Sequence, residues 1–196
     1  MAKDNNINYK LFFVFAIIVL IFLTGIFSYY VFFKNKNSGT ILFTYSNDND
    51  VISIENSLPI EDSVGKKLSN SDTNNKLNGY FEFVLSPKIS KNSSIDYEIV
   101  AKKTSDNNEI SDQYIKIYLT DGDSDLPVDG YNLASVPTYA ELKNSASDYR
   151  YKVLYSGKFK NNKDKKFILR MWLADNYVIN DTLKYFSIKL DVNVNN

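Results

Sequence analysis

The chain contains no cysteine and no histidine. Without cysteine there are no disulfides, no thiolate nucleophile and no thiolate zinc site. Without histidine the commonest general base and transition-metal ligand is missing. Together these absences exclude Ser-His-Asp and Cys-His hydrolases, HExxH metalloproteases and haem proteins with a histidine ligand. Excess charge is also lacking, with 23 basic and 23 acidic residues giving a net charge of +0. Interspersed signs at neutrality argue against a nucleic-acid partner and against a polybasic membrane patch.

What the chain does have is one long apolar run, residues 11–33 (LFFVFAIIVLIFLTGIFSYYVFF). At about 1.5 Å per residue, a helix of that length spans roughly 35 Å, enough to cross a hydrocarbon core about 30 Å thick. The run is about twice as long as a secretion-signal core, and neither an A-x-A site nor a lipobox cysteine follows, so it reads as an uncleaved anchor. Cleavage after Ser28 is the competing reading. Gly25 stands alone, which gives no GxxxG dimer face, and no charge lies inside the run to mark a pore or proton relay. Lys3 and Lys10 on one side balance Lys34 and Lys36 on the other, so orientation rests on the short polar tail staying inside. The expected organisation is a cytoplasmic tail (1–10), a transmembrane anchor (11–33), a linker (34–39) and an extracellular domain (40–196) at the plasma membrane.

Beyond residue 37 the pattern turns to period two with β-branched and aromatic residues. Residues 40–45 and 51–54 flank the turn-forming NDND at 47–50, which predicts an early hairpin. Residues 55–78 read mostly as loop. Stronger strands are predicted at 79–85, 94–101, 113–120, 151–155, 166–174 and 184–194. Within these, Ile95, Tyr97 and Ile99 share one face, as do Ile115, Ile117 and Leu119, and then Phe186, Ile188, Leu190 and Val192. Each pattern implies one buried and one wetter face. Residues 137–143 are the one soluble helix expected, with Thr138 as its cap. Trp172 is the expected core aromatic. Eight or so short strands, little helix and no βαβ spacing predict an all-β, two-sheet antiparallel sandwich.

The succession YFEFVLSP, SIDYEIVAKK, ISDQYIKIYLT, VLYSGKF and KKFILRMWLAD, over residues 79–175, resembles the surface β-sandwich proteins of Gram-positive bacteria, the biofilm-fibre and camelysin-like group. The resemblance implies a jelly-roll or immunoglobulin-like sandwich outside the cell, in some members assembling into fibres by exchange of an N-terminal strand. The long anchor here departs from the fibre formers, and the peptidase activity sometimes attached to the group has no zinc ligands of the usual kind to support it.

Five stretches invite chemistry. In the loop 121–130 (DGDSDLPVDG), Asp121, Asp123 and Asp125 repeat at the D-x-D-x-D spacing that lets alternate carboxylates wrap Ca²⁺, with Asp129 as a further ligand. An EF-hand would need Gly and Glu where Leu126 and Asn132 stand, and a solvated acidic turn is the commoner meaning of such a loop. Ser63-Val-Gly-Lys66 matches the S-x-x-K nucleophile pair, a match expected by chance in a chain this rich in Ser and Lys. The basic run 158–166 (KFKNNKDKK) suits an anionic polymer or membrane headgroups, or else a hairpin tip kept soluble by lysine. Asn92-Ser-Ser94 and Asn180-Asp-Thr182 match the glycosylation sequon, which matters only in a secretory host. The 15 tyrosines could stack on glycans, but at strand positions they are more often half-buried sheet residues. The expectation is therefore a membrane-anchored surface protein, not an enzyme, that displays a β-sandwich for structural or adhesive contact. Its partners would be the bilayer through residues 11–33 and a protein, or a second copy, through the ectodomain. The alternative is a Ca²⁺- or ligand-binding accessory subunit of a membrane or envelope complex.

Overall fold

The computed structural model describes residues 13–21, 23–24, 39–45, 51–55, 58–68, 79–104, 109–122, 124, 126–128, 131, 135–179 and 184–195. Within the expected anchor, residues 13–21 and 23–24 are helical, and the rest of the anchor, the tail and 34–38 lie outside the described residues. Among the described residues no helix is long and apolar enough to cross a membrane.

Among the described residues eight strands follow: β1 (Gly39–Tyr45), β2 (Val51–Glu55), β3 (Gly79–Ile89), β4 (Ile95–Lys103), β5 (Ile115–Asp121), β6 (Tyr151–Phe159), β7 (Lys165–Leu173) and β8 (Tyr185–Asn195). They form two four-stranded antiparallel sheets, ordered β1-β3-β7-β5 and β2-β8-β4-β6. Odd-numbered strands build one sheet and even-numbered strands the other, so each step along the chain from one strand to the next changes sheets. The all-β sandwich expected from the alternating pattern is present.

The early hairpin is not. β1 runs from Gly39, opposite Ile89, to Tyr45, opposite Phe83, whereas β2 runs from Val51, opposite Lys189, to Glu55, opposite Tyr185. Both advance in the same direction along the sandwich, so β1 and β2 are one edge path that changes sheets between residues 45 and 51. Turn-forming residues mark the break, but long-range pairing decides where the chain goes next.

The core lies between the sheets. Phe81, Phe83 and Leu85 of β3, the Ile115, Ile117 and Leu119 series of β5, and Phe167, Leu169 and Met171 of β7 meet Tyr97, Ile99, Phe186, Ile188 and Leu190 from the other sheet. Phe83 stacks on Phe167 at 5.4 Å and meets Phe43 edge-on at 5.1 Å. In β4 the alternation breaks at a bulge between Ile99 and Val100, and both residues are buried.

A second cluster lies on the outer face of the β1-β3-β7-β5 sheet. Trp172 is fully buried there with Leu68, Tyr118 and Val136, flanked by Ile60 and Tyr80. The expectation of a core aromatic at 172 holds for burial, but the residue packs outside the inter-sheet core. Residues 58–68 cover this face, so Tyr118, Thr120 and Arg170 are also buried and the wetter face expected for β5 is closed. The Ile60 N–H donates to the Leu173 carbonyl at 3.2 Å, the Trp172 Nε1–H to Asp62 Oδ1 at 3.2 Å, and Arg170 Nε to the Leu68 carbonyl at 3.0 Å. A short α-helix, Asp62–Gly65, falls within this cover, in a stretch that reads as loop. The helix expected at 137–143 is a single 3₁₀ turn, Tyr139–Glu141, with Thr138 at its cap position as expected. The Glu141 carboxylate accepts from the Thr138 N–H at 2.8 Å.

Candidate functional site

At one end of the sandwich the chain leaves β6 at Phe159, passes through residues 160–164 and re-enters the opposite sheet as β7 at Lys165. The basic run is therefore a sheet-crossing connection and not a hairpin tip. It borders an open cleft of about 360 Å³, walled by Lys158, Lys160, Lys163, Lys165 and Lys166, with Phe159, Asn161, Asp121 and Asp164.

Local chemistry shapes this connection. The Lys163 N–H donates to Asn161 Oδ1 at 3.1 Å, the short-range turn bond that asparagine supplies. Asn162 reaches across to the end of β3, where its Oδ1 accepts from the Ile89 N–H at 2.6 Å and its Nδ2 donates to the Ile89 carbonyl at 3.4 Å. The connection is thus clamped to the residue that pairs with Gly39, where β1 begins. Phe159 closes the floor, stacked on Tyr97 at 4.6 Å.

The lysines fall into two groups. Lys158 is 3.1 Å from Asp96, Lys165 is 3.8 Å from Asp121, and Lys166 is 2.8 Å from Glu82. Burial would raise the Glu82 pKa, but hydrogen bonds from Lys166 and Tyr80 outweigh it and hold the carboxyl below its ordinary 4.5. Gly122 donates its N–H to the Lys166 carbonyl at 2.9 Å, and a Cβ there would meet Lys166 Cγ at 2.3 Å, so the lysine stem lies directly on the glycine. Lys160 and Lys163, with Lys88 and Lys91 on neighbouring segments of the same end, are exposed and make no ion pair among the described residues. An open cleft with five lysines and two carboxylates offers direct N–H donors to an anion.

Of the proposed calcium ligands, Asp121 is the last residue of β5, and its carboxylate faces the Lys165 ammonium on the cleft wall. Asp123, Asp125 and Asp129 lie outside the described residues. Among the described residues, no group of three or more carboxylates is placed to hold a metal ion. Ser63 and Lys66 share a helical turn yet do not meet. The Ser63 hydroxyl turns to Glu61 Oε2 at 3.4 Å, and Lys66 Nζ sits 5.6 Å over the Tyr118 ring. The Ser145 hydroxyl donates to Glu98 Oε2 at 2.9 Å and meets the Ser147 hydroxyl, which accepts from Asn193 Nδ2, so this polar group ties a loop to β4 and β8. Asn92 lies exposed in the connection from β3 to β4, at a φ of 63° that asparagine tolerates well. Asn180 lies outside the described residues.

Asn162 and Ile89, which shape the cleft, escape sequence reasoning because they are separated by 73 positions. The lysine run itself is the one signal that points there. No protein-family model matches the chain, and neither a curated protein nor a solved structure matches it.

Proposed function

We propose that the chain is a single-pass surface protein, anchored in the plasma membrane by residues 11–33 with its N-terminus in the cytoplasm, that displays its β-sandwich outside for structural or adhesive contact. One observation carries this reading. The helical residues 13–21 and 23–24 hold Phe13, Val14, Phe15, Ile17, Ile18, Val19, Leu20, Ile21 and Leu23 at 40–67% exposure. In water a row of exposed apolar side chains of that length is unfavourable at about 25 cal/mol per Å², whereas lipid is the solvent they match. Thr24 supports it, because its hydroxyl donates to the Leu20 and Ile21 carbonyls at 2.9 Å and leaves no donor unsatisfied in hydrocarbon.

The sandwich has the makings of a display module, with a core packed between two four-stranded sheets. Self-association or a protein partner is the contact we assign to it, in keeping with a biofilm-fibre or camelysin-like surface protein. Its last two strands, β7 and β8, lie in opposite sheets, unlike the immunoglobulin form, where strands F and G share a sheet. Alkaline carbonate extraction of membranes from cells making the full chain tests the reading. The chain is expected in the membrane pellet, and a variant lacking residues 11–33 in the supernatant. Release of the full chain by carbonate would overturn the anchor.

A further inference from the structure

The end of the sandwich that carries the lysine cleft is also the end that receives the chain from the apolar run. β1 starts at Gly39 opposite Ile89, and Ile89 is the residue clamped by Asn162 in the middle of the lysine connection. Six residue steps separate Phe33 from Gly39, and a fully extended chain covers at most about 3.5 Å per step. With residues 11–33 in a bilayer, this end stands no more than about 20 Å from the end of the span. The opposite end, where β6 begins at Tyr151 opposite Lys102, points away.

We propose that the lysine-bearing end is the face the sandwich presents to its own membrane, and that Lys88, Lys91, Lys160 and Lys163 dock on the phosphates of anionic lipid headgroups. The proposal rests on the anchored reading above. Its second support is the division of labour among the lysines. Lys158, Lys165 and Lys166 are engaged with Asp96, Asp121 and Glu82 and hold strands in place. The other four are exposed and without an ion pair among the described residues, so their ammonium groups are available to an external anion. Attraction of a lysine to an anionic surface decays within a Debye length of about 8–10 Å and strengthens docking about fivefold per residue. Four together give a several-hundredfold bias. The short tether holds the face at high effective concentration beside the surface, so weak individual contacts suffice. A soluble anionic polymer would find the same charges, but it would not account for their placement at the tethered end.

The test uses the full chain in lipid nanodiscs, made either of phosphatidylcholine or of phosphatidylcholine with phosphatidylglycerol at about seven to three. Because the chain has no cysteine, a single donor label can be placed at Ser90→Cys on the lysine end or at Tyr149→Cys near the far end. Energy transfer to a headgroup acceptor is then read. Transfer from position 90 is expected to rise in the anionic discs. It should fall back to the neutral-disc level in about 1 M salt, where the Debye length shrinks to about 3 Å. It should also fall back in the variant carrying Lys88, Lys91, Lys160 and Lys163→Gln, with the docked-to-undocked ratio dropping about fivefold for each lysine removed. Position 149 should not follow. The glutamine variant is expected to keep the parent's thermal transition, since the four side chains are exposed. Equal transfer from position 90 in neutral and anionic discs would overturn the proposal while leaving the anchor standing. Equal transfer combined with polyphosphate binding would overturn it in favour of a soluble polymer. Failure of the chain to co-elute with discs of either lipid would overturn both the anchor and the docking face.

Discussion

Replacing Gly65 by alanine puts a methyl group where the indole of Trp172 lies. The new Cβ would stand 2.2, 2.3 and 2.7 Å from Cδ2, Cε2 and Cε3 of that ring, far inside the roughly 3.5–4.0 Å optimum for carbon contacts. The ring has little freedom to yield, because it is fully buried and its Nε1–H is bonded to Asp62. Residues 58–68 must therefore lift from the sheet by about 1 Å or more to restore contact distance. Lifting strains the Ile60 bond to Leu173 and the Arg170 bond to the Leu68 carbonyl. Overpacking of this kind costs about 1–3 kcal/mol, and the helical preference of alanine over glycine returns at most about 1 kcal/mol. A net loss of about 1–2 kcal/mol is expected, roughly 2–8 °C in melting temperature for a domain of this size. Trp172 is the only tryptophan in the chain, so intrinsic fluorescence reports this one site, and its emission should shift to longer wavelength as water gains access. Adding Trp172→Phe should recover part of the loss, giving a non-additive double-mutant cycle. An unchanged or raised melting temperature with unchanged emission would refute the packing argument.

The remaining predictions concern the buried polar group, the core and pH. Arg170→Met keeps an unbranched apolar stem but removes the guanidinium that donates to the Leu68 carbonyl and the Thr120 hydroxyl, so urea denaturation should show a loss of about 2–4 kcal/mol. Phe83→Ala removes the ring that meets Phe43, Phe81 and Phe167 and should cost about 3–5 kcal/mol in the same assay. Glu82 has a folded pKa below its ordinary 4.5, so its contribution is complete above 4.5 and is lost as pH falls through the lower folded value. Denaturation curves taken from about pH 6 to about pH 3 should therefore fall less steeply for Glu82→Gln than for the parent below about pH 4.5. Identical slopes would remove the role given to Lys166 and Tyr80.

Much of the sandwich is legible locally because burial between two sheets imposes period two. Ile115, Ile117 and Leu119, and Phe186, Ile188 and Leu190, declare their inward face without any knowledge of partners. Pairing is not legible in the same way. Residues 40–45 and 51–54 look like a hairpin because short range sees only two strands and a turn, while the sheet change depends on β3 and β8, far along the chain. The covered outer face has a signal that alternation hides. FILRMWL in β7 is a nearly continuous apolar run, the pattern of a strand buried on both sides, with Arg170 as its single charge. The short helix at Asp62–Gly65 escapes notice because four residues are too few to show a period of 3.6. The lysine connection is visible as a charge run, yet its meeting with Ile89 and Asp121 belongs to the tertiary fold.

The sidedness of the two ends of the chain decides whether the sandwich is displayed outside on its anchor. With no native thiol, a single cysteine at Tyr149, whose side chain is 79% exposed, can be challenged on intact cells with a membrane-impermeant maleimide. A second variant, Asn5→Cys, reports the tail. Position 149 is expected to react on intact cells and position 5 only after the membrane is opened. Protection of position 149 until permeabilisation, or reaction of position 5 before it, would contradict a sandwich displayed outside on an N-terminal anchor.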